Sequence, residues 1–217
     1  MKSYVFTMGV HEDFAIRRLV STNAAREDDV VCLFRSPMTN GNRRALNALN
    51  AVMSKMGLRE AVAREVRVSG GILDVVDEVT GVLNDLKDPL VVDVSGGESK
   101  AMMLGVVLSL AINGRAGRVY VEEDEEYYFS IEDFRTAVEG IKGEALALLT
   151  NVVAQPGIRY SELAEKTGKK LKTVMNSVGV LKKKRLVYQR GRGEGVYPTK
   201  LGVIVCKSSV AGRDLCR

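Results

Sequence analysis

Between Ser3 and Glu122, short runs of β-branched and aromatic residues alternate with segments of helical spacing. That alternation restricts the fold more than any other feature of the chain. SYVFTMGV (Ser3–Val10) is an apolar run that stops at Gly9, and Phe14, Ala15, Leu19 and Val20 then predict a helix from His11 to about Ala25. DVVCLFRS (Asp29–Ser36) reads as a second buried strand. Pro37 and Asn40-Gly41 break the chain before a helical stripe of Ala45, Leu46, Leu49, Val52, Met53 and Met56. EVRVS ends a third strand at Ser69, and a helix runs from Ile72 to Leu86. Leu90–Ser95 is the fourth strand, Glu98–Asn113 a helix and Arg118–Glu122 a fifth strand, with Tyr127–Ile131 a candidate sixth.

Repeated strand–helix units predict an α/β fold: a Rossmann-like, mostly parallel sheet with helices on both faces. The right-handed crossover rule leaves few topologies. In a doubly wound 3-2-1-4-5 order, the first and fourth strands are neighbours where the winding reverses, and ligands bind outside the carboxyl ends of the strands at that point. The loops there are Gly9-Val10-His11 and Ser95-Gly96-Gly97.

The second loop belongs to LVVDVSGGESKAMMLGVVLSLA. Two glycines permit a sharp turn and close backbone approach, and the first amides of the following helix are unpaired and favour an anion. Lys100 adds a cation, and Ser95 and Ser99 add hydroxyls. Phosphate is one natural guest; close packing of strand and helix is the other reason for such a turn. Glu98 weighs against phosphate unless its side chain points away. Asn40, Asn42, Arg43 and Arg44 in SPMTNGNRR belong to the same sheet edge, although the two arginines also suit a solvated helix face. His11 is either a ligand contact or a surface histidine. The spacing is neither Gly-x-x-x-x-Gly-Lys-Ser/Thr nor Gly-x-Gly-x-x-Gly, and no magnesium carboxylate stands in register, so ATP hydrolysis is disfavoured.

From Gly143 the pattern changes to helices followed by a hairpin. Ala145, Leu146, Leu149 and Val153 form one stripe, closed by Pro156-Gly157. Ser161 is the expected N-cap of a short helix that stops at Gly168, and Leu171 to about Lys184 is a third helix with Val174, Val178 and Leu181 inward. LVYQRGRGEGVYPT offers two short strands, Leu186–Gln189 and Val196–Pro198, and Lys200–Cys206 begins a further helix. This is the outline of a smaller winged helix-turn-helix domain. Lys169, Lys170, Lys172, Thr173, Asn176 and Ser177 stand where the second helix of such a motif meets phosphates and base edges; Arg190 and Arg192 mark the wing tip.

Charge separates the two parts. Residues 1–142 hold 17 Lys+Arg against 22 Asp+Glu, a net of −5, whereas residues 143–217 hold 15 against 5, a net of +10. A winged helix can serve as a protein–protein module, but this density of positive charge favours double-stranded DNA as partner. The expected domains are 1–135, a sensing and dimerisation unit, and 136–217, a DNA-binding unit. The longest apolar run, Ala101 to Ile112, spans twelve residues including Gly105 and Ser109, too short to cross a bilayer, and the N-terminus lacks a basic-apolar leader. Cys32, Cys206 and Cys216 have no CxxC spacing, and His11 is the only histidine. These features predict a cytoplasmic chain with no metal site and no membrane partner.

The opening MKSYVFTMGVHEDFAIRRL, SPMTNGNRRALNAL after the second strand, DVSGGESKAMMLGVVLSL after the fourth and the winged-helix segment together resemble the CRISPR-associated Rossmann-fold (CARF) regulators with a C-terminal helix-turn-helix. The resemblance spans almost the whole chain. It implies a homodimer that binds a cyclic oligoadenylate, most often the tetra-adenylate, across its twofold axis, and promoters of CRISPR adaptation or interference operons as targets in antiviral defence. No cofactor beyond that ligand is implied. Carried over by position, the ligand contacts are Gly9, Val10 and His11, then Ser36, Pro37, Met38, Thr39 and Asn40, then Ser95, Gly96, Gly97, Glu98, Ser99 and Lys100. Glu98 departs from the pattern of similar proteins. The expected activity is ligand-gated transcription regulation without catalytic residues. The alternatives are a ring nuclease, with Lys100 and the turn amides stabilising the phosphorane, and a dimeric DNA-binding regulator that takes no ligand.

Overall fold

The computed structural model describes residues 1–97, 99–115, 117–122, 126–191 and 193–214. The expected contacts Glu98 and Arg192, and Cys216, lie outside the described residues. The chain divides into two compact units, Met1–Ile131 and Glu132–Arg217.

In the first unit the strands are β1 (Ser3–Met8), β2 (Asp29–Arg35), β3 (Val62–Val66), β4 (Leu90–Asp93), β5 (Gly117–Glu122) and β6 (Glu126–Ser130). The helices are α1 (Asp13–Ser21), α2 (Asn40–Lys55), α3 (Ile72–Asn84) and α4 (Lys100–Ile112). The sheet order is β3-β2-β1-β4-β5-β6, parallel except for the β5–β6 pair. This is the doubly wound order with an antiparallel edge strand added, and β1 and β4 flank the switch point. Every residue of β1 is buried, as a central strand covered on both faces requires. Tyr4, Phe6 and Met8 pack with Ala15 and Leu19 of α1 and Ala45, Leu49 and Met53 of α2. Their neighbours Val5 and Thr7 point to the opposite face by strand alternation, and α3 and α4 lie side by side.

Element ends differ from the sequence reading at three places. β3 stops at Val66 rather than Ser69, because its parallel partner β2 ends at Arg35 opposite it. α1 is shorter at both ends; Thr22 caps it and Asn23 adopts φ 51°. α4 starts at Lys100, with the Ser99 hydroxyl accepting the Met102 N–H as N-cap.

The second unit holds α5 (Ile131–Glu139, whose first residue belongs to the first unit), α6 (Gly143–Ala154), α7 (Tyr160–Thr167), α8 (Leu171–Lys183), β7 (Val187–Tyr188), β8 (Tyr197–Pro198) and α9 (Lys200–Asp214). α6, α7 and α8 with the β7–β8 hairpin form a winged helix-turn-helix around Leu148, Leu149, Leu163, Val174, Val178 and Leu181. The expectation that Ser161 caps the short helix is corrected. Arg159 is the N-cap residue, its carbonyl accepts the Leu163 N–H at 3.0 Å, and Ser161 lies inside the first turn. Gly168 ends that helix in the left-handed conformation, φ 66°. A bridge between Ile158 and Val196 extends the wing beyond the hairpin.

Candidate functional site

A cleft of about 260 Å³ opens where β1, β2, α2 and α4 meet, lined by Met8, Gly9, Arg35, Ser36, Pro37, Thr39, Asn42 and Met102. Four of the expected ligand residues, Gly9, Ser36, Pro37 and Thr39, are among them. The cleft is built by its loops. Thr39 and Asn42 form a reciprocal cap at the start of α2: the Thr39 N–H donates to Asn42 Oδ1 at 2.9 Å and the Asn42 N–H to Thr39 Oγ1 at 3.2 Å. The Asn42 amide also donates to the Gly9 carbonyl at 3.0 Å, tying the loop after β1 to the loop after β2. Glu65 of β3 secures the other side, accepting from the Ser36 hydroxyl at 2.8 Å and the Met38 N–H at 3.2 Å.

Other expected contacts lie elsewhere. Met38 is half-buried, packed against the core cluster of β1, β2, α1 and α2. Asn40 is the exposed first residue of α2, and Val10 and His11 are exposed. The Val10 side chain sits so close to Gly41 that a Cβ there would come within 2.8 Å of it. Ser95, Gly96, Gly97, Ser99 and Lys100 do not line this cleft, although Met102 brings α4 into it.

The Ser-Gly-Gly turn is held from several sides. The Ser95 N–H donates to Asp93 Oδ1 at 2.9 Å, and Ser95 Oγ accepts the Glu122 N–H at 2.8 Å. Thr7 donates its hydroxyl to the Gly96 carbonyl. A Cβ on Gly96 would lie 2.6 Å from the Thr7 carbonyl oxygen, and Gly97 has φ +96°. Close packing against β1 therefore requires glycine at 96, and backbone conformation favours it at 97. Lys100 stands exposed at the first position of α4, where a cation and the helix start face the same solvent.

Sequence reasoning passed over Arg35 and Glu65. Arg35 is the exposed last residue of β2, and its place at the carboxyl end of a strand beside the switch point was the available signal. No sequence signal marked Glu65, whose role follows from the β2–β3 register.

In the second unit, Lys169, Lys170, Lys172, Thr173 and Asn176 are exposed across the turn into α8 and its first turns. Ser177 is half-buried and donates to Glu144 Oε1 at 3.1 Å, while Lys169 donates to Glu144 Oε2 at 2.8 Å. Hydrogen bonds from Lys169 and then Ser177 hold the Glu144 carboxyl below the usual carboxylate range. Arg190, exposed at the wing, lies 5.0 Å from the Tyr197 ring centroid. Gln189 fastens the wing: it accepts from Tyr160 and Lys182 and donates to the Glu194 carbonyl. Among the described residues no cluster of three metal-ligating side chains occurs, and no helix is long and apolar enough to cross a membrane.

A model of the Csa3 CRISPR-associated Rossmann-like domain matches residues 2–135. The chain belongs to the Csa3 family. It is 28% identical over 211 residues to a Saccharolobus solfataricus protein named "CRISPR locus-related putative DNA-binding protein Csa3", covering 95% of this chain and 88% of that one. Among solved structures, the chain is similar to one titled as a complex of Staphylococcus aureus MepR with DNA. That match has 20% identity and a TM-score of 0.34, and covers 39% of this chain and 66% of the other. The Csa3-family Rossmann-like domain thus coincides with the unit that carries the cleft and the Ser-Gly-Gly turn.

Proposed function

We propose that this Csa3-family chain is a homodimeric transcription regulator of the cytoplasm. Its winged helix docks on promoter DNA, and its Rossmann-like unit takes a cyclic oligoadenylate, with the tetra-adenylate the first candidate. The observation that carries the reading is the set of exposed cations and polar groups at the start of α8: Lys170, Lys172, Thr173 and Asn176 face solvent in the half of the helix that enters a major groove in this motif. The name of the Saccharolobus relative supports the same partner.

Support for the ligand comes from the cleft and the turn. At about 260 Å³ the cleft is smaller than sites for drug-sized ligands. A cleft of that size does not enclose a whole ring of nucleotides, and a symmetric ring would be shared by two copies. An apolar helix surface is available for pairing: α4 carries no charge after Lys100 and exposes Leu104 and Ile112, and α3 exposes Leu73. Ligand in a shared groove would bias the spacing of the two recognition helices, which must match half-sites about 34 Å apart. Its effect is limited to its difference in affinity for the two arrangements.

Titration of the intact protein with labelled cyclic tetra-adenylate, with and without duplex DNA, tests the whole reading. The expected result is retained, uncleaved ligand, a raised melting temperature, and DNA affinity that falls roughly 10³–10⁵-fold between about 50 and 200 mM salt if six to ten phosphates are neutralised. Linear products would identify a ring nuclease instead. An unchanged melting temperature at saturating ligand would leave a DNA-binding regulator without this effector, and salt-independent binding would remove the DNA assignment.

A further inference from the structure

Helix α8 exposes three large apolar side chains, Leu171, Met175 and Val180, and the first two stand together at its start. Leu171 is 48% exposed and Met175 51% exposed. They are four residues apart, so they share a face of the helix, and they lie one and five residues after Lys170, at the end of the helix that carries the exposed Lys170 and Lys172. Their neighbours Val174 and Val178 fill the core instead. A methionine and a leucine bracketed by Lys170, Lys172 and Asn176 do not make an apolar patch for another protein, because the surrounding charge opposes a dry interface. The same arrangement complements a DNA major groove. Cations meet the phosphates along its edges, and apolar side chains meet the one apolar group displayed on its floor, the C5-methyl of thymine.

We infer that Leu171 and Met175 are specificity-determining residues that read thymine methyl groups in the operator. The inference rests on the DNA-binding reading above and adds a base preference to it. Lysines on phosphate supply affinity that is indifferent to sequence. A polar Asn176 favours adenine through paired hydrogen bonds. Two apolar contacts one helical turn apart then require thymines at neighbouring positions of each half-site. The long, unbranched thioether of Met175 reaches farther and adapts more readily than Leu171, so the larger effect falls on the thymine it covers.

The test uses the full chain and a duplex selected by it from a random-sequence pool. Each thymine of the selected site is replaced singly by deoxyuracil, which removes only the methyl group and leaves base pairing intact. The expected result is a loss of about fourfold in affinity, the worth of one buried methyl, at one or two positions per half-site. Met175→Ala should erase that thymine-over-uracil preference at one position, and Leu171→Ala at another. Both side chains are exposed, so these variants should melt with the wild type, and the uracil scan needs no variant at all. Tight, selective binding with no methyl-sensitive position, a selected half-site without thymine, or a preference that survives both alanine variants would overturn the inference alone. Failure to bind any duplex would overturn the DNA-binding reading and this inference with it.

Discussion

Arg18 and Asp93 form a buried ion pair at the foot of the Ser-Gly-Gly turn. Arg18 Nε donates to Asp93 Oδ2 at 2.9 Å, with side chains only 2% and 1% exposed. The other carboxylate oxygen accepts the Ser95 N–H, and the Arg18 guanidinium lies 3.6 Å from the Tyr120 ring centroid. One carboxylate thereby joins α1, β4 and the start of the turn. Asp93→Ala leaves the Arg18 charge buried without this partner, so the expected cost is about 3–5 kcal/mol. Asp93→Asn keeps the volume and one acceptor and should cost less. Urea unfolding of the two variants, followed by a probe in the first unit, checks the order.

Gly96 and Gly97 should respond differently to a methyl group. At Gly96 the new Cβ meets the backbone carbonyl of Thr7, which cannot swing aside, and overpacking of this kind costs roughly 1–3 kcal/mol. At Gly97 the obstacle is chiefly the positive φ of +96°, worth about 1–2 kcal/mol for an L-residue. Gly96→Ala should therefore lower the melting temperature more than Gly97→Ala, and should also displace the turn from β1. Differential scanning calorimetry gives the first comparison, and backbone amide shifts of Ser95 to Lys100 give the second.

Glu144 occupies the positive face of the winged helix with the wrong sign for DNA. It engages Lys169 and Ser177, two groups that a phosphate would otherwise attract. Replacing it by Gln removes the repulsion and frees the lysine. Glu144→Gln should raise affinity for all duplex sequences by a few-fold at low salt. The gain should shrink near physiological ionic strength, where the screening length is about 8 Å. Fluorescence anisotropy across a salt series would show it; an affinity that drops instead would mean that Glu144 holds Lys169 in its DNA-contacting pose.

The Cys32 thiol is buried in β2, and burial alone pushes its pKa up to about 12 from 9.0. The folded chain therefore holds that proton more tightly than the unfolded chain. The stability this contributes is complete below about pH 9 and falls as pH rises from there towards 12. Native protein should react slowly with thiol reagents at Cys32 at pH 8. Cys32→Ala should flatten the decline of stability with alkaline pH relative to wild type, as measured by urea unfolding at a series of pH values.

Periodicity made the sheet and its switch-point edge legible. β1 and β4 announce themselves as apolar runs, the turn after β4 carries its glycines in plain sight, and Gly168 marks the end of α7. Leu171 and Met175 were passed over because they fall off the buried stripe of α8, where spacing alone assigns no role. The end of α1, the first residue of α7 and the limit of β3 each moved by a few residues: the helix ends follow the backbone bonds from Thr22 to Arg18 and from Leu163 to Arg159, and the β3 limit follows its register with β2.

The sequence by itself determined the order of elements, the parallel core and the division of charge between the two halves, all of them properties of local pattern and composition. Tertiary structure alone decided that Asn42 grips the Gly9 carbonyl across 33 positions and that Arg18 reaches Asp93 across 75. It also decided that Gly96 is pressed against Thr7 and that Lys169 is held by Glu144. Such contacts exist only once strand register and helix packing have brought distant segments together, and spacing along the chain carries no record of that distance.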